Sequence, residues 1–264
     1  MQFKGKKVLI TGASSGIGEA IARHFASKGS YLLLSGRNQK ELERVKSECS
    51  QAEGVDIYTM DLGNHDEIFS RAKEILSQHG QIDILINNAG ISQRALAKDL
   101  PFEFDKKIID VDLLGTIALT KAVLPGMLQR KSGSIVTITS LMGKFATPLR
   151  SSYAAAKHGL HGFFDALRAE VSDEGVQVIL VCPGFIKTNV SINALGPDGK
   201  QQGTMDAATG NGLEPSVVAE AIENAILKDL EEINVAGAKE MFGLYMKRFA
   251  PGMLSKMVKK MKVT

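Results

Sequence analysis

Tyr153 and Lys157 stand four residues apart in Tyr153-Ala-Ala-Ala-Lys157. On a helix, that spacing puts the phenol and the ammonium on one face. A free phenol titrates near about 10, and an ammonium beside it favours the phenolate. Such a tyrosine can exchange a proton with an alcohol or a ketone at neutral pH. The pair alone is weak evidence, because lysine is common. Ser140 strengthens it: this residue directly follows Thr137-Ile-Thr139, thirteen positions before Tyr153, at the end of a core strand, where a doubly wound sheet presents catalytic groups.

A second group of residues suits a phosphate. In Thr11-Gly-Ala-Ser-Ser-Gly-Ile-Gly18, the residues Gly12, Ser14, Ser15, Gly16, Ile17 and Gly18 lie between a strand and a helix. Their amides and the positive end of the helix fit a pyrophosphate. The spacing is not the G-x-G-x-x-G fingerprint, so a turn serving only chain geometry is the competing reading. Past the second strand, Ser35-Gly36-Arg37-Asn38 lacks the carboxylate that reads an adenosine 2′-hydroxyl. Arg37, with Asn38 beside it, would offer a forked cation to a 2′-phosphate, which favours NADP over NAD. The alternative for Arg37 is a solvated surface position.

These groups need a scaffold, and the alternation of β-branched runs with helical stretches supplies one. Strands are expected at 8–11, 31–35, 56–60, 83–87, 134–139, 176–182 and 233–236, and helices at 16–28, 39–50, 65–79, 103–130, 151–173 and 215–229. The result is an α/β fold of Rossmann type, a doubly wound, seven-stranded parallel sheet with helices on both faces. Residues 1–238 form one dinucleotide-binding catalytic domain. Within it, 183–214 is too long and polar for a routine connection and is expected to be a substrate lid.

The chain has 264 residues, 44% of them hydrophobic and 23% charged, which excludes a disordered polymer. A formal net charge of +3 gives no reason to expect nucleic acid. Its distribution is uneven. Residues 239–264 carry seven basic side chains against one acidic, with five of the ten methionines, whereas 1–238 carry 25 basic against 28 acidic. That tail suits either peripheral contact with an anionic membrane or packing across a homo-oligomer or the cleft. Cys49 and Cys182 stand in no metal-ligand spacing, so no metal site or disulfide is expected, and a reducing, cytoplasmic location fits. Neither a signal peptide nor a membrane-spanning run is expected.

Together these motifs resemble the short-chain dehydrogenase/reductase family in its single-domain form. Further matching pieces are Asp61-Leu62, Asn88-Ala89-Gly90 within Asn87-Asn-Ala-Gly, and Pro183-Gly184 followed by Ile186 and Thr188. The resemblance implies that Tyr153 is the general acid/base, that Ser140 binds the substrate oxygen, and that Lys157 lowers the tyrosine pKa and holds the nicotinamide ribose. It places Asp61 and Leu62 beside the adenine and Asn88 near the adenosine ribose. Pro183, Gly184, Ile186 and Thr188 then line the carboxamide side. The family's usual asparagine 28 residues before the serine is here Asp112, in Val111-Asp-Leu113. Aspartate accepts as asparagine does but cannot donate when ionised.

Loop similarity points to the dehydrogenase/reductase member 7 branch, hence to a lipid-like or steroid-like carbonyl or alcohol as substrate. A homodimer or homotetramer is also implied, and Ala154, Ala155, Ala156, Phe163, Phe164 and Leu167 exceed what one buried stripe needs. A catalytically silent NADP-binding regulator is the alternative function. His158 and His161 read as packing residues, Cys182 as an inert core thiol, and Arg94, Arg150 and Arg168 as solvated by default.

Overall fold

A computed structural model describes residues 2–259 of the chain. Seven apolar runs form one sheet: β1 (Lys7–Thr11), β2 (Tyr31–Gly36), β3 (Gly54–Thr59), β4 (Ile84–Asn87), β5 (Gly133–Ile138), β6 (Val176–Pro183) and β7 (Glu232–Val235). The order is β3-β2-β1-β4-β5-β6-β7, and every pairing is parallel. Strand direction of build-up reverses between β1 and β4, so the crevice at their carboxyl ends is the natural ligand site.

Alternation along β1 feeds both layers. Val8 and Ile10 join one buried cluster with Ile21 and Phe25 of α1 (Gly16–Ser27) and Ile222 of α8 (Pro215–Leu227). Leu9 faces the other cluster, with Ile75 of α3 (His65–His79), Leu119 of α5 (Gly115–Arg130) and Phe164 of α6 (Ser151–Glu170). Strands covered on both faces explain why these runs are apolar beyond simple alternation. The helix α2 (Gln39–Glu48) and α3 start where Asn38 and Asn64 accept the Glu41 and Glu67 amides.

The expected single helix over 103–130 is interrupted. Helix α4 (Phe102–Ile109) runs into a π-helical turn at Asp110–Leu114 before α5 begins. Two contacts hold the bulge. The Asp112 carboxylate turns inward, while Gly115 sits so close to Leu62 that a Cβ there would lie 2.2 Å from the Leu62 carbonyl oxygen. The extra residue of a π turn advances the apolar register of α5 by one position relative to α4.

The 183–214 segment makes short bridges, Gln93 with Leu195, Ile186 with Leu213 and Leu195 with Gln201, and contains a short helix α7 (Ala207–Gly210). Beyond β7, α9 (Ala238–Phe249) and α10 (Pro251–Val258) return over the sheet end, where Leu254 is buried with Leu141, Phe145 and Cys182. Their outer face exposes Phe242, Tyr245, Phe249, Met253 and Met257. The last basic residues of that stretch, Lys260 and Lys262, lie outside the described residues. The apolar surplus on α6 is largely consumed inside the chain: Ala154, Ala156, Phe164 and Leu167 are buried, leaving Ala155 exposed and Phe163 half-buried. No helix among the described residues is long and apolar enough to cross a membrane.

Candidate active site

The glycine loop is shaped by contacts that only glycine permits. Gly12 and Gly16 adopt left-handed φ values of 64° and 58°. At Gly18 the reason is proximity, since a Cβ would lie 2.2 Å from the Gly12 carbonyl oxygen. Asn88 ties the loop to β4: its side-chain amide donates to the carbonyls of Thr11 (2.9 Å) and Gly12 (3.3 Å). Thr11 Oγ1 returns the link by accepting from the Asn88 and Ala89 amides at 2.9 and 3.0 Å. The N-cap Ser15 makes no side-chain capping bond to the first turn of α1, which leaves its amides to serve as an anion cradle.

A cavity of about 700 Å³ spans this cradle and the ends of β4, β5 and β6. It is lined by Gly12, Ser14, Ser15, Gly16, Ile17, Arg37, Asp61, Leu62, Asn88, Ala89 and Gly90 on one side. Ser140, Tyr153, Lys157, Pro183, Gly184, Ile186 and Thr188 line the other. Its size suits an extended ligand, and the cradle, which a Cβ at Gly16 would narrow against Thr188 at 3.0 Å, fits a dinucleotide pyrophosphate.

Three expected site residues do not line this cavity. Gly18 works by close packing, as above, and Asn38 spends its side chain on capping α2. Asp112 lies behind Lys157, wholly buried. Its Oδ1 accepts the Ile91 amide at 2.7 Å, and its Oδ2, without a hydrogen-bond partner among the described residues, is 3.4 Å from Lys157 Nζ. Burial pushes the Asp112 carboxyl above its usual range, against the opposing pull of the Lys157 ammonium and the Ile91 amide.

Lys157 also donates to the Ile138 carbonyl at 3.2 Å, and its Nζ lies 5.6 Å from the centroid of the Tyr153 ring. Ser140 Oγ accepts the Met142 amide at 3.1 Å, which fixes the turn that follows β5. Phenol, hydroxyl and ammonium thus meet at one end of the cavity, with a buried carboxyl behind the ammonium.

The arginines depart from expectation. Arg94 and Arg150 are buried, not solvated, and both reach Asp206 Oδ2, at 2.7 and 3.3 Å. Burial would raise the Asp206 carboxyl, but hydrogen bonds from Arg94 and Gln202 outweigh it and hold the group below its usual range. Burial lowers Arg150 to about 10. Arg168 donates to the Val178 and Glu231 carbonyls, which locks α6 to β6. His161 stands between two partners, Nε2 3.8 Å from Cys182 Sγ and Nδ1 3.6 Å from Glu232 Oε2, so that one potential ligand atom from each of the three side chains lies within 4.8 Å of the others. Burial lowers it to about 4 and raises the Cys182 thiol to about 11. Gln93 was not foreseen from sequence; Asn193 and Lys200, which line the cavity, and Asp206 fall within the 183–214 segment expected to cover the cleft but were not singled out individually.

A fold of this topology, with a glycine cradle and a Ser, Tyr and Lys group at the carboxyl ends of its strands, defines a nicotinamide-type oxidoreductase scaffold. Residues 6–196 match the family model for short chain dehydrogenase. The chain belongs to the short-chain dehydrogenase/reductase family, oxidoreductases that act on CH–OH groups. Within it, similarity runs to the member 7 branch: the chain is 41% identical over 258 residues to the dehydrogenase/reductase SDR family member 7B of Bos taurus, covering 95% of this chain and 79% of that one. A metagenomic short-chain oxidoreductase in complex with NADP shares 28% identity at a TM-score of 0.74, covering 89% of this chain and 98% of that one. A short chain dehydrogenase/reductase from Burkholderia phymatum in complex with NAD shares the fold at a TM-score of 0.84 and 22% identity, covering 96% of each chain.

The position of Asp112 yields a pH prediction. A carboxylate 3.4 Å from Lys157 Nζ would offset the ammonium charge that the site presents to the reacting oxygen. Asp112→Asn removes it, so the pH–rate profile should move toward lower pH. Rate profiles of the two proteins from pH 6 to 10 check this; superimposable limbs would show that the carboxyl carries no charge there.

Proposed function

We propose that the protein is an NADP(H)-dependent oxidoreductase interconverting a ketone or aldehyde with an alcohol, and that its substrate is lipid-like or steroid-like. One observation carries the reading: Ser140, Tyr153 and Lys157 line the same cavity as the glycine cradle. A bound nicotinamide supplies or accepts the hydride at the carbonyl carbon. In reduction, the Tyr153 hydroxyl gives its proton to the substrate oxygen, and in oxidation the phenolate takes it back. Ser140 Oγ hydrogen-bonds the same oxygen and holds it against the tyrosine. Lys157 favours the phenolate and offers its remaining donors to a ribose. Leu195, Ile91 and Tyr153, which line the cavity and pack in one apolar cluster, give a lipid-like chain an apolar wall beside the reacting oxygen.

Arg37, exposed at the mouth of the cavity, supports the preference for a 2′-phosphate. Tyr153→Phe should lower kcat/KM by about 10²- to 10⁴-fold toward the best carbonyl substrate; wild-type turnover would overturn the mechanism. Losing a charge-assisted bond worth about 1.5–3 kcal/mol, Arg37→Asp should reduce the NADP-over-NAD ratio of kcat/KM by about 10- to 100-fold. Steady-state kinetics with both cofactors measure it.

The exposed aromatic and methionine face of α9 and α10, flanked by exposed Lys247, Arg248 and Lys256, is the surface we assign to an anionic membrane. Wild type should pellet with anionic vesicles and remain in solution with neutral ones, and Phe249→Glu combined with Met253→Glu should abolish pelleting. Equal pelleting of both proteins ends the assignment, as does a face that instead holds two copies together in solution.

A further inference from the structure

Helix α6, which carries Tyr153, begins without a local cap: Arg150 occupies its N-cap position and makes no capping bond there. Exposed first-turn amides are ordinarily satisfied by a neighbouring side chain or water. Here Gln93, wholly buried and some 60 residues away in sequence, does it from across the cleft. Its Oε1 accepts the Ser152 amide at 2.9 Å and the Tyr153 amide at 3.2 Å. Its Nε2 donates to the Ser151 hydroxyl at 3.2 Å and to the Ala95 carbonyl at 3.3 Å. One side chain therefore sets both the height and the rotation of the turn that bears the phenol.

The same segment is gripped from its other side by the lid. The Leu195 amide donates to the Ser92 carbonyl at 2.8 Å and the Arg94 amide donates to the Leu195 carbonyl at 2.7 Å, so two bonds bracket Gln93. Farther along the lid, Asp206 binds Arg94 and Arg150, the residues that follow Gln93 and precede α6. Lid, segment 92–94 and the start of α6 form one hydrogen-bonded unit.

We propose that Gln93 is a positioning residue that couples seating of the lid to the placement of Tyr153, so that the acid/base hydroxyl reaches its working position when 195–206 is closed over the cleft. The inference rests on the reading of Tyr153 as the acid/base group. A misplacement near 1 Å at a reacting group costs about 10²-fold in rate, and the glycine cradle, on the far side of the cavity, is untouched.

Two readouts on the full chain test it. Gln93→Met, of similar length but without an acceptor, should lower kcat by about 10- to 100-fold with NADPH affinity unchanged. Gln93→Glu, which keeps an acceptor toward α6 but turns an oxygen on the Ala95 carbonyl, should recover part of that loss. Should the methionine variant fail to fold, Gln93→Asn withdraws the acceptor by one methylene and should show the same selective fall in kcat. Independently of activity, hydrogen exchange at the Ser152 and Tyr153 amides should accelerate in Gln93→Met and also in the lid variant Asp206→Asn. Unchanged exchange at those amides in Asp206→Asn overturns the coupling, as does a wild-type kcat in Gln93→Met or an equal loss in the methionine and glutamate variants. If wild type turns over no carbonyl substrate yet the amides respond as described, the functional reading fails and the coupling stands.

Discussion

A lysine ammonium nine-tenths withdrawn from water is tolerated only where other groups replace its hydration, and at Lys157 three parts of the fold converge to do so. The end of β5 offers the Ile138 carbonyl, the π turn offers Asp112, and the preceding turn of α6 offers the ring of Tyr153. Each depends on another departure from regularity. Asp112 reaches the lysine because the helix widens at Asp110–Leu114, and it fits there because Gly90 has no side chain: a Cβ at that position would lie 2.9 Å from Asp112 Oδ2. The irregular turn and the glycine after β4 thus serve the same charge.

Much of this was legible in the sequence because it is local. Strand and helix identities follow from apolar spacing, the glycine cradle from three glycines between a strand and a helix, and the Tyr153 and Lys157 pair from the pitch of a helix. Asp112 stood out because it replaces an asparagine in an otherwise matching motif. What was not legible is long-range. Arg94 and Arg150 read as solvated because nothing nearby in sequence neutralises them; their partner Asp206 is contributed by a loop more than fifty residues beyond. The cap of α6 was invisible for the same reason, since helix starts are read from the residue at the N-cap, and Arg150 has no suitable oxygen. Asn38 illustrates the reverse error: it lies in the right loop for the cofactor, but its short side chain satisfies its own helix first.

Charge is arranged in the same economical way. Residues 1–238, mildly acidic overall, hold their buried cations on carboxylates, Arg94 and Arg150 on Asp206 and Lys157 on Asp112, and gather three more carboxylates, Glu19, Glu41 and Glu48, around the half-exposed Arg44. The basic side chains of α9 and α10 have few acidic neighbours and flank an apolar face, so the part of the molecule with uncommitted charge is the part that returns over the sheet end.

That return has a chemical consequence. Leu254 of α10 closes over Cys182 together with Leu141 and Phe145, and Cys49, at the C-terminal end of α2, is also buried. Burial raises both thiols to about 11, so neither offers thiolate to an oxidant or an alkylating reagent while the chain is folded. The two sulfurs are therefore sentinels: labelling of Cys182 reports lifting of the last helix from the sheet, and labelling of Cys49 reports opening of the opposite layer.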